Sequence, residues 1–397
     1  MLNIFKDSSI YLVGEILSKI LPFILIPYLS NKLGAELYGE LALLQTYLAL
    51  IVIFIGINQH GAIARYYYRY GHRTINNVKV SGEIIATILA VIFFIIAVIL
   101  GETWFSIIIF TAFFQVLISV QLSLRQCQKN ALGYVYIQLI LNVLIFVFTV
   151  FYFEFFMGNP YGYFLSLLIS NFLCYLILSN INIGKYKNCT KKTLLSTSKY
   201  IFSFGGPLII HQLALFSKGY LDRLLIIDQY TSIELGVYSI AFQLAAVFQV
   251  IMVAINKAIV PYYYESLKNN KLKTKDILKY AVFSLVIIPI PVIFIYFIPE
   301  SLLLLFIGES FVGVKHFLIV FVAGILMNLP YFIMINYLFY QGKTVFVAKV
   351  NIVSAIIHIY MVYVFSGLDI YYIPYALFIS NLILVSLIYL YILRFNK

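Results

Sequence analysis

The chain has 397 residues, 63% of them hydrophobic and 11% charged, with a mean hydropathy of +0.99. That composition excludes a soluble domain, because apolar runs of about twenty residues, each long enough for a ~30 Å hydrocarbon core, recur along the whole length. The net charge of +12 sits in short loops between those runs, which excludes a nucleic-acid binder and reads as membrane orientation.

An all-α integral membrane protein with twelve spans is expected. They fall at roughly 9–30, 40–60, 81–100, 104–124, 134–153, 161–182, 200–221, 235–256, 280–299, 315–338, 350–366 and 371–393. With both termini in the cytoplasm, the inner segments hold 22 of the 27 Lys and Arg residues, and the outer connections are mainly acidic. No loop is long enough for a globular catalytic domain, so the chain is not expected to be an enzyme. It shows no glycine-rich phosphate loop, no cofactor motif and no metal-ligand spacing. Cys127, Cys174 and Cys189 are scattered and odd in number, which excludes a fully paired disulfide framework.

The first span carries Glu15 and Lys19 four residues apart, so they share a helix face and can pair, with Lys19 near the midplane. Pro22 and Pro27 follow, and broken helices are tolerated at membrane depth where protein or cavity water satisfies the freed backbone. This segment lacks a small-x-small cleavage site and is not expected to be a cleaved signal. Gly39, Gln45 and Tyr66 to Tyr68 recur near offset 197 as Gly236, Gln243 and Tyr262 to Tyr264. An offset near half the chain suggests a six-plus-six repeat, with lobes 1–182 and 200–397 joined by a basic linker 183–199.

The seventh span carries a polar face. His211, Lys218 and Asp222 are expected on one stripe, since offsets of seven and eleven return to within roughly 20° of the same direction. Lys218 and Asp222 form a second i,i+4 pair; Arg223 follows, and Asp222 and Arg223 can equally lie at the membrane interface. Ionisable groups on a membrane helix face water or a partner, which makes these residues candidates for binding or for ion coupling. Gln138 with Asn142, Asn351 with His358, and Asn381 read as interhelical hydrogen bonds. The tyrosine clusters read as aromatic belts at helix ends.

Phe204-Gly205-Gly206-Pro207, Tyr220-Leu221-Asp222-Arg223 and Glu234-Leu235-Gly236-Val237-Tyr238-Ser239-Ile240-Ala241 resemble the seventh-to-eighth helix region of bacterial polysaccharide flippases. Leu33 to Leu41, with Pro22 and Pro27 before it, and Ala64-Arg65-Tyr66 resemble the first two helices of that Wzx-like family. The resemblance places the chain in the superfamily of multidrug/toxin exporters and lipid II flippases. It implies two six-helix lobes around a central cavity, and transport of an undecaprenyl-diphosphate-linked oligosaccharide, an O-antigen or capsule precursor, to the outer leaflet of the bacterial cytoplasmic membrane. It also implies a cation-lined cavity and coupling to H⁺ or Na⁺. Here Lys19, Lys218, Arg65 and Lys257 would supply the cations, and Glu15, Asp222 and His211 the charge balance or ion coupling. Membrane lipid and a polysaccharide polymerase are the further partners expected. The alternatives are a multidrug or small-solute exporter of the same fold, and a membrane polymerase or glycosyltransferase.

Overall fold

Hydrocarbon offers a backbone no hydrogen-bond partner, so each crossing segment must satisfy its own N–H and C=O groups. In the computed structural model the chain does this with helices alone, and no strand occurs among the described residues. The structure describes the backbone of residues 2–71, 73–178 and 190–395; the side chains of residues 2–13, Glu15, Ile16, Pro261 and Phe395 are outside the description. Cys189 also lies outside it.

Helix α1 (Leu2–Gly56) and helix α2 (Gln59–Tyr70) contain the first two expected spans. Helix α1 has 55 residues and at ~1.5 Å per residue is more than twice as long as the hydrocarbon is thick, so it must reverse within its length. It does so at Gly34, whose φ of 69° and ψ of 177° are non-helical and strain any side chain with a Cβ. The break frees the Ala35 N–H, which donates to Ser310 Oγ at 3.1 Å. The loop expected between these spans is therefore a one-residue kink.

Helices α3 (Ile75–Ile99), α4 (Phe105–Cys127), α5 (Ala131–Phe155) and α6 (Pro160–Leu178) follow. Helix α7 (Lys191–Phe216) continues through one π-helical turn at Ser217–Leu221 into α8 (Asp222–Gln229). Helix α9 (Ser232–Lys268) opens on a capping box, in which Glu234 N–H donates to Thr231 Oγ1 and Thr231 N–H donates to Glu234 Oε2. Then come α10 (Thr274–Ile287), α11 (Pro289–Phe297), α12 (Glu300–Ile307), α13 (Val314–Leu326), α14 (Asn328–Tyr340), α15 (Thr344–Ser366) and α16 (Tyr375–Phe395). Among the described residues, eleven helical stretches are long and apolar enough to cross a membrane; the first, Leu17–Tyr70, holds two of the twelve expected spans.

Several helices begin before their apolar run. The seventh span starts at Lys191, so the end of the expected linker 183–199 is helical. The ninth starts at Thr274, where Asp276 Oδ2 accepts the Lys273 N–H at 2.9 Å. Hydropathy marks only the part of a helix immersed in lipid, whereas capping side chains let the helix extend past it.

The chain forms two compact units. One comprises residues up to 25 and 44–213; the other comprises 26–43 and residues from 214 onward. Residues 26–43 thus pack with the later part of the chain and 191–213 with the earlier part, unlike the division expected at 183–199. In the first unit Ser18 donates to Gln138 Oε1 at 3.0 Å, Asn142 Nδ2 donates to the Ser18 carbonyl at 2.9 Å, and Ile57, Ala62, Val78, Ile85 and Ile201 form an apolar cluster.

In the second unit the chain on either side of Gly39 packs directly on that around Gly236. A Cβ on Gly39 would collide with the Ser232 carbonyl, and one on Gly236 with the Ala35 carbonyl. The two small-x-x-x-small motifs, Ala35 to Gly39 and Ser232 to Gly236, stand 197 residues apart and meet reciprocally. The Tyr38 hydroxyl donates to Gln243 Oε1 at 2.7 Å beside them.

Candidate functional site

Charged side chains are costly in a membrane, so a cluster of them must be held by specific partners. The second unit holds one. From the π-helical turn, Lys218 Nζ donates to Ser354 Oγ on α15 at 2.7 Å and to Asn381 Oδ1 on α16 at 2.9 Å. Both acceptors are buried and fixed: Ser354 Oγ donates to the Ser380 carbonyl, and Asn381 Nδ2 to the Gly324 carbonyl. The ammonium is therefore solvated by neutral oxygens. A single π turn of this kind changes which way a helix presents its side chains and often marks a working site.

One turn further on, Asp222 and Arg223 are 3% and 2% exposed. The Asp222 carboxylate accepts from the Tyr238 hydroxyl and from the Arg223 backbone N–H. The Arg223 guanidinium lies 4.9 Å from the Tyr220 ring centroid and 5.4 Å from that of Phe242. Tyr238 and Phe242 in turn pack edge-on against Phe321 of α13. Asp222 and Arg223 are thus core residues, held by aromatic side chains, and the interfacial placement open to them in the sequence is not adopted.

The expected pairing of Lys218 with Asp222 does not form. Each has its own partners, because the π turn between them removes the regular i,i+4 geometry. Nor is the stripe one surface: His211 is exposed, Lys218 half-buried and Asp222 buried. His358, one turn after Ser354 on α15, is buried near Lys218 and Asp222 and belongs to the same cluster. Sequence reasoning placed His358 among interhelical hydrogen bonds, and its ring meets the backbone of Ser217 and Ala376. The available signal was the i,i+4 spacing of Ser354 and His358.

The first unit holds a basic, aromatic site. Arg65 lies over the rings of Phe204 and Tyr200, at 5.0 and 5.8 Å from their centroids. Tyr200 also meets Tyr66 and Tyr70 edge to face. Of the expected aromatic belts, Tyr68 and Tyr262 are exposed, whereas Tyr66 is packed and Tyr263 donates to the Ile333 carbonyl at 2.8 Å. Lys19 and His211 in this unit and Lys257 in the other are exposed. The structure thus gives Lys218 two neutral acceptors, Asp222 a tyrosine donor and Arg65 aromatic partners. The side chain of Glu15 lies outside the described residues. Among the described residues, no group of three or more His, Cys, Asp or Glu is placed to hold a metal ion.

Comparison with known proteins adds a family. The model for polysaccharide biosynthesis proteins matches residues 4–267, and the MatE model matches residues 207–364. The chain is 39% identical over 402 residues, covering all of both chains, to Lsg locus putative protein 1 of Haemophilus influenzae. It is also 39% identical to an uncharacterized membrane protein of that organism, over 98% of this chain and 96% of the other. Among solved structures, an inward-facing multidrug-resistance MATE transporter of the MOP superfamily covers 98% of the chain, and the chain 97% of it, with a TM-score of 0.71 and 15% identity. The outward-facing conformation gives a TM-score of 0.65 at 14% identity, over 98% of this chain and 95% of that one. The chain accordingly belongs to the polysaccharide biosynthesis protein family, as a multi-pass membrane protein with the fold of MOP-superfamily transporters.

Proposed function

We propose that the chain is a flippase carrying an undecaprenyl-diphosphate-linked oligosaccharide, an O-antigen or capsule repeat unit, from the inner to the outer leaflet of a bacterial cytoplasmic membrane. The observation that carries the reading is Lys19, an exposed ammonium on a membrane-crossing helix of a chain in this family. Such a group is tolerable only against water or an anion. A diphosphate moved bare through hydrocarbon costs many kcal/mol, and fixed cations in a hydrated path remove much of that cost. Arg65, Lys218 and Lys257 are the further cations; Glu15, Asp222 and His211 would balance or couple charge. An H⁺ or Na⁺ gradient would drive the cycle by alternating access, and a polysaccharide polymerase would consume the product.

The test is to follow lipid-linked repeat units in cells lacking the chain. Units should accumulate on the inner leaflet, and the wild-type chain, but not Lys19→Ala, should return them to the surface. Surface polysaccharide at wild-type level with Lys19→Ala would refute the reading. The MatE match favours a second reading, an exporter of organic cations. In that case loss of the chain would sensitise cells to such cations and leave polysaccharide intact. A polymerase or glycosyltransferase would instead leave single units outside, or none assembled at all.

A further inference from the structure

A basic cluster outside the candidate site surrounds the turn from α9 into α10. Residues 262–287 hold five lysines, Lys268, Lys271, Lys273, Lys275 and Lys279, against two carboxylates, Glu265 and Asp276. All five lysines are exposed. Asp276 is engaged locally, because its Oδ2 accepts the Lys273 N–H at the start of α10. Packing fixes which way α10 presents its side chains: Ile277 and Ala281 are buried in one apolar cluster with Leu267, Leu338 and Val347, and Thr274 Oγ1 lies 3.0 Å from the Tyr337 hydroxyl of α14. The opposite side of the helix bears Lys275, Lys279, Val282 and Val286, at offsets of four, seven and eleven residues, and all four are exposed. Phe283, beside them, is 63% exposed.

We propose that this stripe of α10 is a seat for an anionic phospholipid. Lys275 and Lys279, with Lys271 at the turn, meet the phosphate headgroup, and an acyl chain lies along Val282, Phe283 and Val286. The order of the side chains is the order of a lipid: cations come first, and at ~1.5 Å per residue Val286 stands ~10 Å further along the axis than Lys279. Several lysines at the end of one membrane helix attract anionic headgroups together, and each adds to the attraction. A zwitterionic headgroup brings its own cation beside the phosphate and gains little from them. An acidic protein would meet the lysines but leave the apolar half of the stripe uncovered, so the lipid is the occupant that fits both halves. The seat is independent of which substrate the chain carries.

The experiment puts one fluorescent reporter beside the seat. The chain has a single tryptophan, Trp104, so Trp104→Phe combined with Phe283→Trp leaves one indole, on the flank of the stripe. The full chain is reconstituted in phosphatidylcholine bilayers free of polyprenyl lipid, with rising fractions of brominated phosphatidylglycerol or brominated phosphatidylcholine, whose bromines quench an indole they touch. Phosphatidylglycerol should be preferred by about fivefold or more at low salt. Lys275→Gln with Lys279→Gln should erase the preference. Should that double variant not accumulate, high salt applied to the chain with its lysines intact should weaken the preference, because the contact lies between exposed charges. A second reporter, Phe151→Trp on the exposed side of α5, should show no preference. Absence of preference at the Phe283 reporter overturns the proposal and leaves the lysines to an acidic protein partner. An equal preference at the Phe151 reporter, or one that neither the lysine substitutions nor salt reduces, overturns it as well.

Discussion

Asp222 shows how a side chain at the end of an apolar helix can belong to the core. Among the described residues the carboxylate's side-chain hydrogen-bond donor is Tyr238, so the phenol hydroxyl and the charge stabilise each other only while both are present. Tyr238→Phe should therefore cost about 1–3 kcal/mol, as expected when a buried charged acceptor loses a donor. Asp222→Ala should cost more, because it removes the acceptor of both the buried Tyr238 hydroxyl and the Arg223 backbone N–H. Thermal unfolding in detergent should rank wild type above Tyr238→Phe and Tyr238→Phe above Asp222→Ala. Equal midpoints for all three would contradict the burial of this cluster. Nothing in the local sequence separated this placement from an interfacial one. An Asp-Arg pair reads identically whether it meets headgroups or Tyr220, Tyr238 and Phe242, and those rings arrive from a π turn and a second helix.

At the scale of elements, helix existence was legible and helix interruption was not. Runs of about twenty apolar residues located the spans, because hydrocarbon thickness sets their length. The π turn at Ser217–Leu221 left no mark in the hydropathy pattern. The kink at Gly34 can be rationalised from a glycine, yet most glycines in the chain sit in regular helix. Packing contrasts them sharply. A Cβ on Gly39 or Gly236 would meet backbone, whereas one on Gly206 has nothing within 4 Å. Gly39→Val and Gly236→Val should each lower the unfolding midpoint markedly and by similar amounts, since the contact is reciprocal. Gly206→Ala should be neutral or raise stability by up to ~1 kcal/mol through helix propensity. Thermal scanning of the purified variants in detergent checks this, and a tolerant Gly39→Val would contradict the close approach. The repeat inferred from Gly39 and Gly236 gains physical content here, because the two equivalent positions touch each other.

For the whole molecule, composition alone specified a multi-pass membrane protein, and the positive-inside asymmetry specifies an orientation. Met157 is 89% exposed in the connection between α5 and α6, and Lys271 lies in the basic turn between α9 and α10. In a background without native cysteines, Met157→Cys should react with an impermeant maleimide in intact cells. Lys271→Cys should react only after permeabilisation; the reverse pattern would invert the topology. In each unit the candidate cations were legible in the sequence and their partners were not. Lys19, Arg65 and Lys218 stand out as ionisable residues among apolar ones, but Ser354, Asn381, Phe204 and Tyr200 are brought to them by tertiary packing.

Translocation of a lipid-linked oligosaccharide in reconstituted vesicles tests the central claim most directly. The probe is a labelled undecaprenyl-diphosphate oligosaccharide placed on one leaflet, with its appearance on the other read by an impermeant sugar-modifying enzyme under an imposed ion gradient. Vesicles with the wild-type chain should expose the label far faster than empty vesicles, and Lys19→Ala and Lys218→Ala should both fall to the empty-vesicle rate while inserting normally. Wild-type vesicles that expose label no faster than empty ones, or lysine variants that match wild type, would contradict the account.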